Sequence, residues 1–169
     1  MSGYVLEQEK CKKGGHKMEK EDVGYVFVYG TLKCGGGLAV DFDEYRMKSM
    51  DATINGVIYK GPFPLLKLNE NGKVHGELHK FSNFKNVIKR MDQAEAYYKD
   101  YENESLYIRR TVLISVNGRV YEAYVYEFHG YGGEIKTNDF KKIESGIWEL
   151  PKETVFDEEW REDNEEMES

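Results

Sequence analysis

Hydrophobic positions in this chain follow two rhythms, one of strands and one of a single helix. From Tyr25 the texture becomes β-branched and aromatic. Tyr25-Val26-Phe27-Val28-Tyr29 reads as a buried strand stopped by Gly30. Three Asn-Gly pairs punctuate the middle, at 55–56, 71–72 and 117–118. Asn-Gly suits the positive φ angles of tight turns, so each pair is a hairpin candidate. Leu65–Leu68 and Val74–Phe81 flank the second pair. In the latter segment Val74, Gly76, Leu78 and Lys80 alternate with His75, Glu77, His79 and Phe81. Leu106–Val116 and Arg119–Phe128, both rich in Val and Tyr, flank the third.

Between these hairpins the rhythm changes. Apolar residues at Phe84, Val87, Ile88, Met91 and Ala94 form one stripe at helical spacing, with Ser82 or Asn83 available as cap. Glu95 falls only about 20° from Phe84 on the helical wheel, so a carboxylate projects from the apolar face at the helix end. A weaker helix is predicted from about Thr137 to Glu144. Many strands with one or two helices imply an α+β fold, a small mixed β-barrel.

Residues 1–24 carry five acids and five bases with scattered apolar positions, and read as a flexible extension. Residues 25–150 form the expected domain. The net charge of −7 belongs to the remaining segment, 151–169. From Asp157 to Ser169 stand eight acids against one base, Arg161, which leaves 23 acids and 23 bases elsewhere. The body is therefore balanced, unlike a nucleic-acid-binding domain with its basic excess. No apolar run approaches the roughly 20 residues that span a bilayer, and the polar N-terminus lacks a signal-peptide core. Two cysteines, Cys11 and Cys34, indicate no disulfide framework, so a reducing cytoplasmic setting is expected.

Glu95 is the first chemical candidate. A carboxylate on an apolar face is desolvated, which raises its pKa toward the range of a useful base. The alternative is a surface position or an ion pair with Arg109 or Arg110. The second candidate is Tyr29-Gly30-Thr31-Leu32-Lys33, where a glycine after a buried strand permits either a plain turn or a cradle of free N–H groups. The loop lacks the spacing of a Walker phosphate loop or a Rossmann fingerprint. Cys34 has no histidine in recognisable relation to it, so a small loop residue is expected there rather than a nucleophile. Cys11 with His16 lacks a second ligand pair, and His75 and His79 stand about 13 Å apart on an extended strand. No metal is expected.

In combination these segments resemble the gamma-glutamylcyclotransferase-like, or AIG2-like, family, and within it the gamma-glutamylamine cyclotransferase branch. The resemblance rests on Val26-Phe27-Val28-Tyr29-Gly30-Thr31-Leu32-Lys33 and continues in Pro62-Phe63-Pro64-Leu65. It is carried further by Gly72-Lys73-Val74-His75-Gly76-Glu77-Leu78, Met91-Asp92-Gln93-Ala94-Glu95-Ala96-Tyr97, Tyr107-Ile108-Arg109-Arg110-Thr111-Val112 and Ala123-Tyr124-Val125-Tyr126. Ala96 stands where the family usually has glycine, and the tandem Arg109-Arg110 leaves two candidates for its arginine. The resemblance implies an enzyme that releases 5-oxoproline from a small gamma-glutamyl substrate without cofactor or metal. Glu95 would be the catalytic acid/base, with Tyr29, Gly30, Thr31, Leu32 and Lys33 binding substrate. Alternatives on the same fold are an enzyme that trims a gamma-glutamyl group in a biosynthetic pathway, or a non-catalytic interaction protein. Neither nucleic acid nor membrane is an expected partner.

Overall fold

The computed structural model describes residues 22–133 and 140–150. The extension at 1–21, the tail at 151–169 and the Thr137–Asp139 part of the weaker helix lie outside the described residues.

Strand β1 (Val23–Val28) is the centre of the fold. Its β-branched and aromatic residues are buried on both sides, which suits a strand with neighbours on both edges. It pairs antiparallel with β5 (Lys73–Ser82), from Val23 opposite Ser82 to Val28 opposite Glu77, and parallel with β7 (Arg119–Phe128) at Val26 and Tyr124. With β2 (Arg46–Asn55) and β6 (Tyr107–Val116) the five-stranded order is β2-β5-β1-β7-β6. A second sheet has the order β4-β3-β8, from β3 (Val57–Lys60), β4 (Pro64–Lys67) and β8 (Lys141–Lys142). The class is α+β, as expected, but the barrel is not closed. The outer strands β2 and β6 do not pair, and Ile58 and Leu66 of the second sheet fill the core beside Phe27, Leu78 and Val125.

The third Asn-Gly pair makes the predicted hairpin. Val116 faces Arg119, while Asn117 at φ 51° and Gly118 at φ 78° supply the two positive φ angles that a type I′ turn needs. The other two pairs are not hairpins. Asn55-Gly56 carries the chain from β2 in one sheet to β3 in the other, and Asn71-Gly72 carries it back toward β5. The two steps meet, with the Gly56 N–H donating to the Gly72 carbonyl at 3.1 Å. Tight-turn residues here serve a pair of sheet-to-sheet crossings.

The helix α1 runs Phe84–Ala94, as its stripe predicts, and buries Val87, Ile88 and Met91 against Val26 and Val28 of β1. Its N-terminus is capped differently from the expectation. Asn83 adopts a left-handed conformation and its side chain caps nothing. Instead Asp22 accepts from the N–H groups of Phe84 and Lys85, with its carbonyl and its carboxylate respectively. The described end of the weaker helix is no helix. Lys141 and Lys142 pair with Lys60 and Tyr59, extending the second sheet, because the mixed Phe140-to-Glu144 pattern offers no apolar stripe to bury. Among the described residues, no helix is long and apolar enough to cross a membrane.

Candidate active site

The C-terminal end of α1 determines where Glu95 goes. The Tyr97 N–H donates to the Asp92 carbonyl at 2.8 Å and the Ala96 N–H to the Gln93 carbonyl, with Ala96 left-handed at φ 50°. This is a Schellman closure with alanine in the usual glycine position. The turn is tied to the start of β6, since the carbonyls of Glu95 and Ala96 accept from the N–H groups of Tyr107 and Leu106. Glu95 thereby lines a cavity of about 500 Å³ between β1, α1, β6, β7 and the Pro62–Pro64 segment. Neither arginine reaches it. Arg109 pairs with Asp92 at 2.6 Å and Arg110 with Glu127 at 3.3 Å. The Glu95 carboxyl has no hydrogen bond or ion pair among the described residues. Burial without a compensating partner pushes its pKa from 4.5 up to about 7.

Three tyrosines stand around this carboxyl: Tyr29, Tyr107 and Tyr126 line the cavity, and burial, with the nearby Glu95 charge contributing, raises the pKa of each. They are neutral phenols near pH 7. Their protons are committed elsewhere, Tyr29 to the Tyr126 carbonyl, Tyr107 to the Pro64 carbonyl at 2.7 Å and Tyr126 to Asp92 at 2.8 Å. Their oxygens are therefore left to accept. The same Asp92 holds Arg109, so β6, β7 and α1 are locked together one turn before Glu95.

The loop after β1 completes the cavity. Gly30 packs so tightly that a Cβ there would lie 2.6 Å from Pro64 Cγ. The loop then folds back, with Lys33 N–H donating to the Gly30 carbonyl and Leu38 N–H to the Thr31 carbonyl at 3.0 Å. Gly36 makes this return possible, because a Cβ would fall 2.1 Å from the Thr31 carbonyl oxygen. The N–H groups of Thr31 and Leu32 donate to no acceptor among the described residues. Unused donors beside a cavity are what an anion requires. Tyr29, Gly30, Thr31 and Leu32 all line the cavity with Glu95. Lys33 does not; its ammonium donates to the Trp148 carbonyl at 2.6 Å and holds the segment after β8 instead.

Beneath the loop lies a buried polar chain that spacing alone did not reveal. Glu77 accepts the Cys34 N–H at 2.8 Å and contacts His79 Nε2 at 3.0 Å. Arg46 Nε donates to His79 Nδ1 at 3.1 Å, and Arg46 also pairs with Asp43. Since a guanidinium only donates, Nδ1 accepts and the ring's proton sits on Nε2, toward Glu77. Burial lowers the His79 pKa, consistent with this neutral tautomer. Donor atoms of Cys34, Glu77 and His79 lie within 4.8 Å of one another, close enough for a metal. The donor set does not fit one. His79 Nε2 carries a proton and is turned toward Glu77, so it offers no lone pair to an ion.

Tyr107 and Tyr126 were legible as strand residues but not as site residues. The signal was register: Tyr126 faces Arg109 across β6 and β7, two places along from Tyr107 and Phe128. Reading that register requires the Asn117-Gly118 turn as its origin.

A family model described as gamma-glutamyl cyclotransferase, AIG2-like, matches residues 26–150. Among solved structures the fold is similar to YkqA from Bacillus subtilis, at 21% identity and a TM-score of 0.55, over 75% of this chain and 39% of that one. The chain thus spans well under half the length of that relative. It is similar also to At3g28950.1 from Arabidopsis thaliana (21% identity, TM-score 0.52, 90% of this chain and 81% of that one). At5g39720.1 from the same plant gives 23% identity and a TM-score of 0.51 over 72% and 82%. No functionally curated protein gives a significant match. With the model matched over most of its length, the chain belongs to the gamma-glutamyl cyclotransferase, AIG2-like family.

Proposed function

We propose that this chain is a gamma-glutamylamine cyclotransferase-like enzyme that releases 5-oxoproline from gamma-glutamyl amines. The observation that carries the reading is an unpaired carboxyl, Glu95, with its pKa pushed to about 7 beside the unused N–H groups of Thr31 and Leu32.

The reaction is intramolecular. The substrate's α-amine attacks its own γ-carbonyl carbon, a C–N bond closes the five-membered lactam, and the original amide C–N bond breaks. An α-ammonium cannot attack, so a base must first take its proton; Glu95, half ionised near pH 7, is suited to that task. The neutral phenol oxygens of Tyr29, Tyr107 and Tyr126 are acceptors for the remaining N–H bonds. The proton held on Glu95 then passes to the departing nitrogen as the amide C–N bond breaks; the carboxylate so restored takes the second proton from the ring nitrogen and hands it to the released amine, which departs as an ammonium. The Thr31 and Leu32 N–H groups supply donors for the α-carboxylate or for the oxyanion developing on the γ-carbonyl. Because the nucleophile is tethered, much of the acceleration comes from holding the chain in its ring-closing conformation. No step calls for a cofactor.

The assay is 5-oxoproline formation from gamma-glutamyl-ε-lysine, gamma-glutamyl-alanine, glutathione and a gamma-glutamyl alkylamide. Turnover of at least one, abolished by Glu95→Gln, is expected. Absence of product from all four overturns the reading.

A further inference from the structure

The cavity wall is divided by burial, and the division bears on the leaving amine. Glu95 and the buried tyrosines Tyr29, Tyr107 and Tyr126 form the inner part with Leu32. The exposed and half-exposed part includes Leu38, Pro62, Phe63, Ala94 and Leu106, with Phe63 42% exposed, and it meets the half-buried Thr31 and Glu95 at the inner boundary. Glu95 is the only charged side chain among the described residues that line the cavity. The neighbouring cations are committed elsewhere: Lys33 to Trp148, Arg109 to Asp92 and Arg46 to Asp43.

From these positions we infer that the leaving amine carries an uncharged, apolar substituent, so that the substrate class is gamma-glutamyl amides of alkyl or arylalkyl amines. The inference rests on the cyclotransferase reading. In that reading the charged glutamyl end, with its amine and α-carboxylate, must lie at Glu95 and the Thr31 and Leu32 N–H groups. The amide nitrogen's substituent then extends outward over Leu38, Pro62, Phe63 and Leu106. An alkyl chain laid there is withdrawn from water against apolar atoms, which favours binding. An amino-acid leaving group brings a carboxylate, and a diamine or lysine brings a second ammonium. Either would be partly desolvated against this wall with no opposite charge to meet it. Phe63 is the main platform, its ring 6.5 Å from that of Tyr107 at the boundary between the two parts.

The test compares isosteric substrates by 5-oxoproline release. Gamma-glutamyl-n-hexylamide and gamma-glutamyl-5-aminopentylamide have the same chain length and differ by a terminal methyl against an ammonium. The hexylamide is expected to have a kcat/KM higher by about tenfold or more. From propyl to hexyl the value should climb, by up to roughly fourfold for each methylene that becomes buried. Phe63→Asp should shrink the hexyl-to-aminopentyl ratio toward one or below; if that variant does not fold, the wild-type ratio decides alone. Equal or better turnover of the aminopentylamide or of gamma-glutamyl-alanine overturns this inference and leaves the cyclotransferase reading intact. No product from any of these compounds overturns both.

Discussion

Glu77 and Cys34 are joined across the floor of the loop, one carboxylate oxygen of Glu77 accepting the Cys34 N–H at 2.8 Å. The same oxygen faces the Nε2–H of the fully buried His79. One carboxylate therefore satisfies a loop donor and a core donor, and through His79 it meets Arg46 and Asp43. The Gly30–Gly37 loop sits on a pre-formed polar support. A Gln at position 77 still offers an oxygen to both donors, whereas Ala removes the acceptor of the buried His79 N–H and of the half-buried Cys34 N–H. Glu77→Ala should cost about 2–4 kcal/mol and Glu77→Gln about 1 kcal/mol. Urea denaturation of the two variants measures this, and equal losses would show that the carboxylate does not hold the loop.

The raised Glu95 pKa predicts the pH dependence of activity. As a base Glu95 must be ionised, and its carboxyl holds its proton up to about pH 7. The free-enzyme profile of kcat/KM should fall about tenfold per pH unit below that point. A profile that stays flat down to pH 5 would rule out Glu95 as the titrating base.

The same shift has a consequence for stability, with its sign fixed by linkage. The folded-state pKa lies above the unfolded value, so burial of the neutral acid costs little below about pH 4.5. As pH rises from about 4.5 to about 7 the unfolded chain ionises while the folded carboxyl keeps its proton, so the folded protein loses stability across that window and levels off above it. From 4.5 to about 7, this amounts to about 3 kcal/mol at pH 8. Gln imitates the protonated acid at every pH. Glu95→Gln should therefore match the wild type near pH 4.5 and exceed it by about 2–3 kcal/mol at pH 8. Thermal unfolding at the two pH values checks it; a variant less stable than wild type at pH 8 contradicts the buried, unpaired carboxyl.

Ala96, next to Glu95, holds a left-handed backbone at φ 50° to close the helix. That conformation crowds a Cβ against the following carbonyl, whereas glycine adopts it freely. Ala96→Gly should stabilise the fold by about 1 kcal/mol without altering the Tyr97-to-Asp92 hydrogen bond. A rise of a few degrees in Tm is the expected reading. A fall would mean that the unfolded-state entropy of glycine outweighs the relieved strain.

What could be read from the chain divides along the range of the interactions. The α1 stripe, the position of Glu95 and the Asn117-Gly118 hairpin depend on neighbours within a few residues, and all three are where the pattern places them. Asn55-Gly56 and Asn71-Gly72 carry the same local signal but not the same structure. Their flanking strands find better partners elsewhere, β5 being taken by β1 and β2, and β4 by β3. At the site, Gly30 marks a turn after β1 without deciding between a plain turn and a cradle, and nothing local fixes the side chain of Lys33. Its Trp148 partner lies 115 residues away. The Asp92, Tyr126 and Arg109 cluster was hidden for the same reason: its members come from three elements.

The tandem arginines differ in what each one touches. Arg109 pairs with Asp92 at 2.6 Å, and its guanidinium lies 4.6 Å from the ring centre of Tyr124 and 5.3 Å from that of Tyr97. Arg110, on the opposite face of β6, is 47% exposed and reaches only Glu127 at 3.3 Å. An exposed pair of this kind contributes little, whereas a partly buried guanidinium stacked on two rings contributes through charge and packing together. Arg109→Ala should cost about 2–3 kcal/mol and Arg110→Ala less than about 0.5 kcal/mol. Because Arg109 shares Asp92 with Tyr126, one turn before Glu95, its loss should lower kcat more than it raises KM. Arg109→Lys keeps the charge without the planar stack and should recover only part of the stability. Denaturation midpoints and steady-state kinetics on the three variants separate the roles; comparable effects at 109 and 110 would remove Arg109 from the support of Glu95.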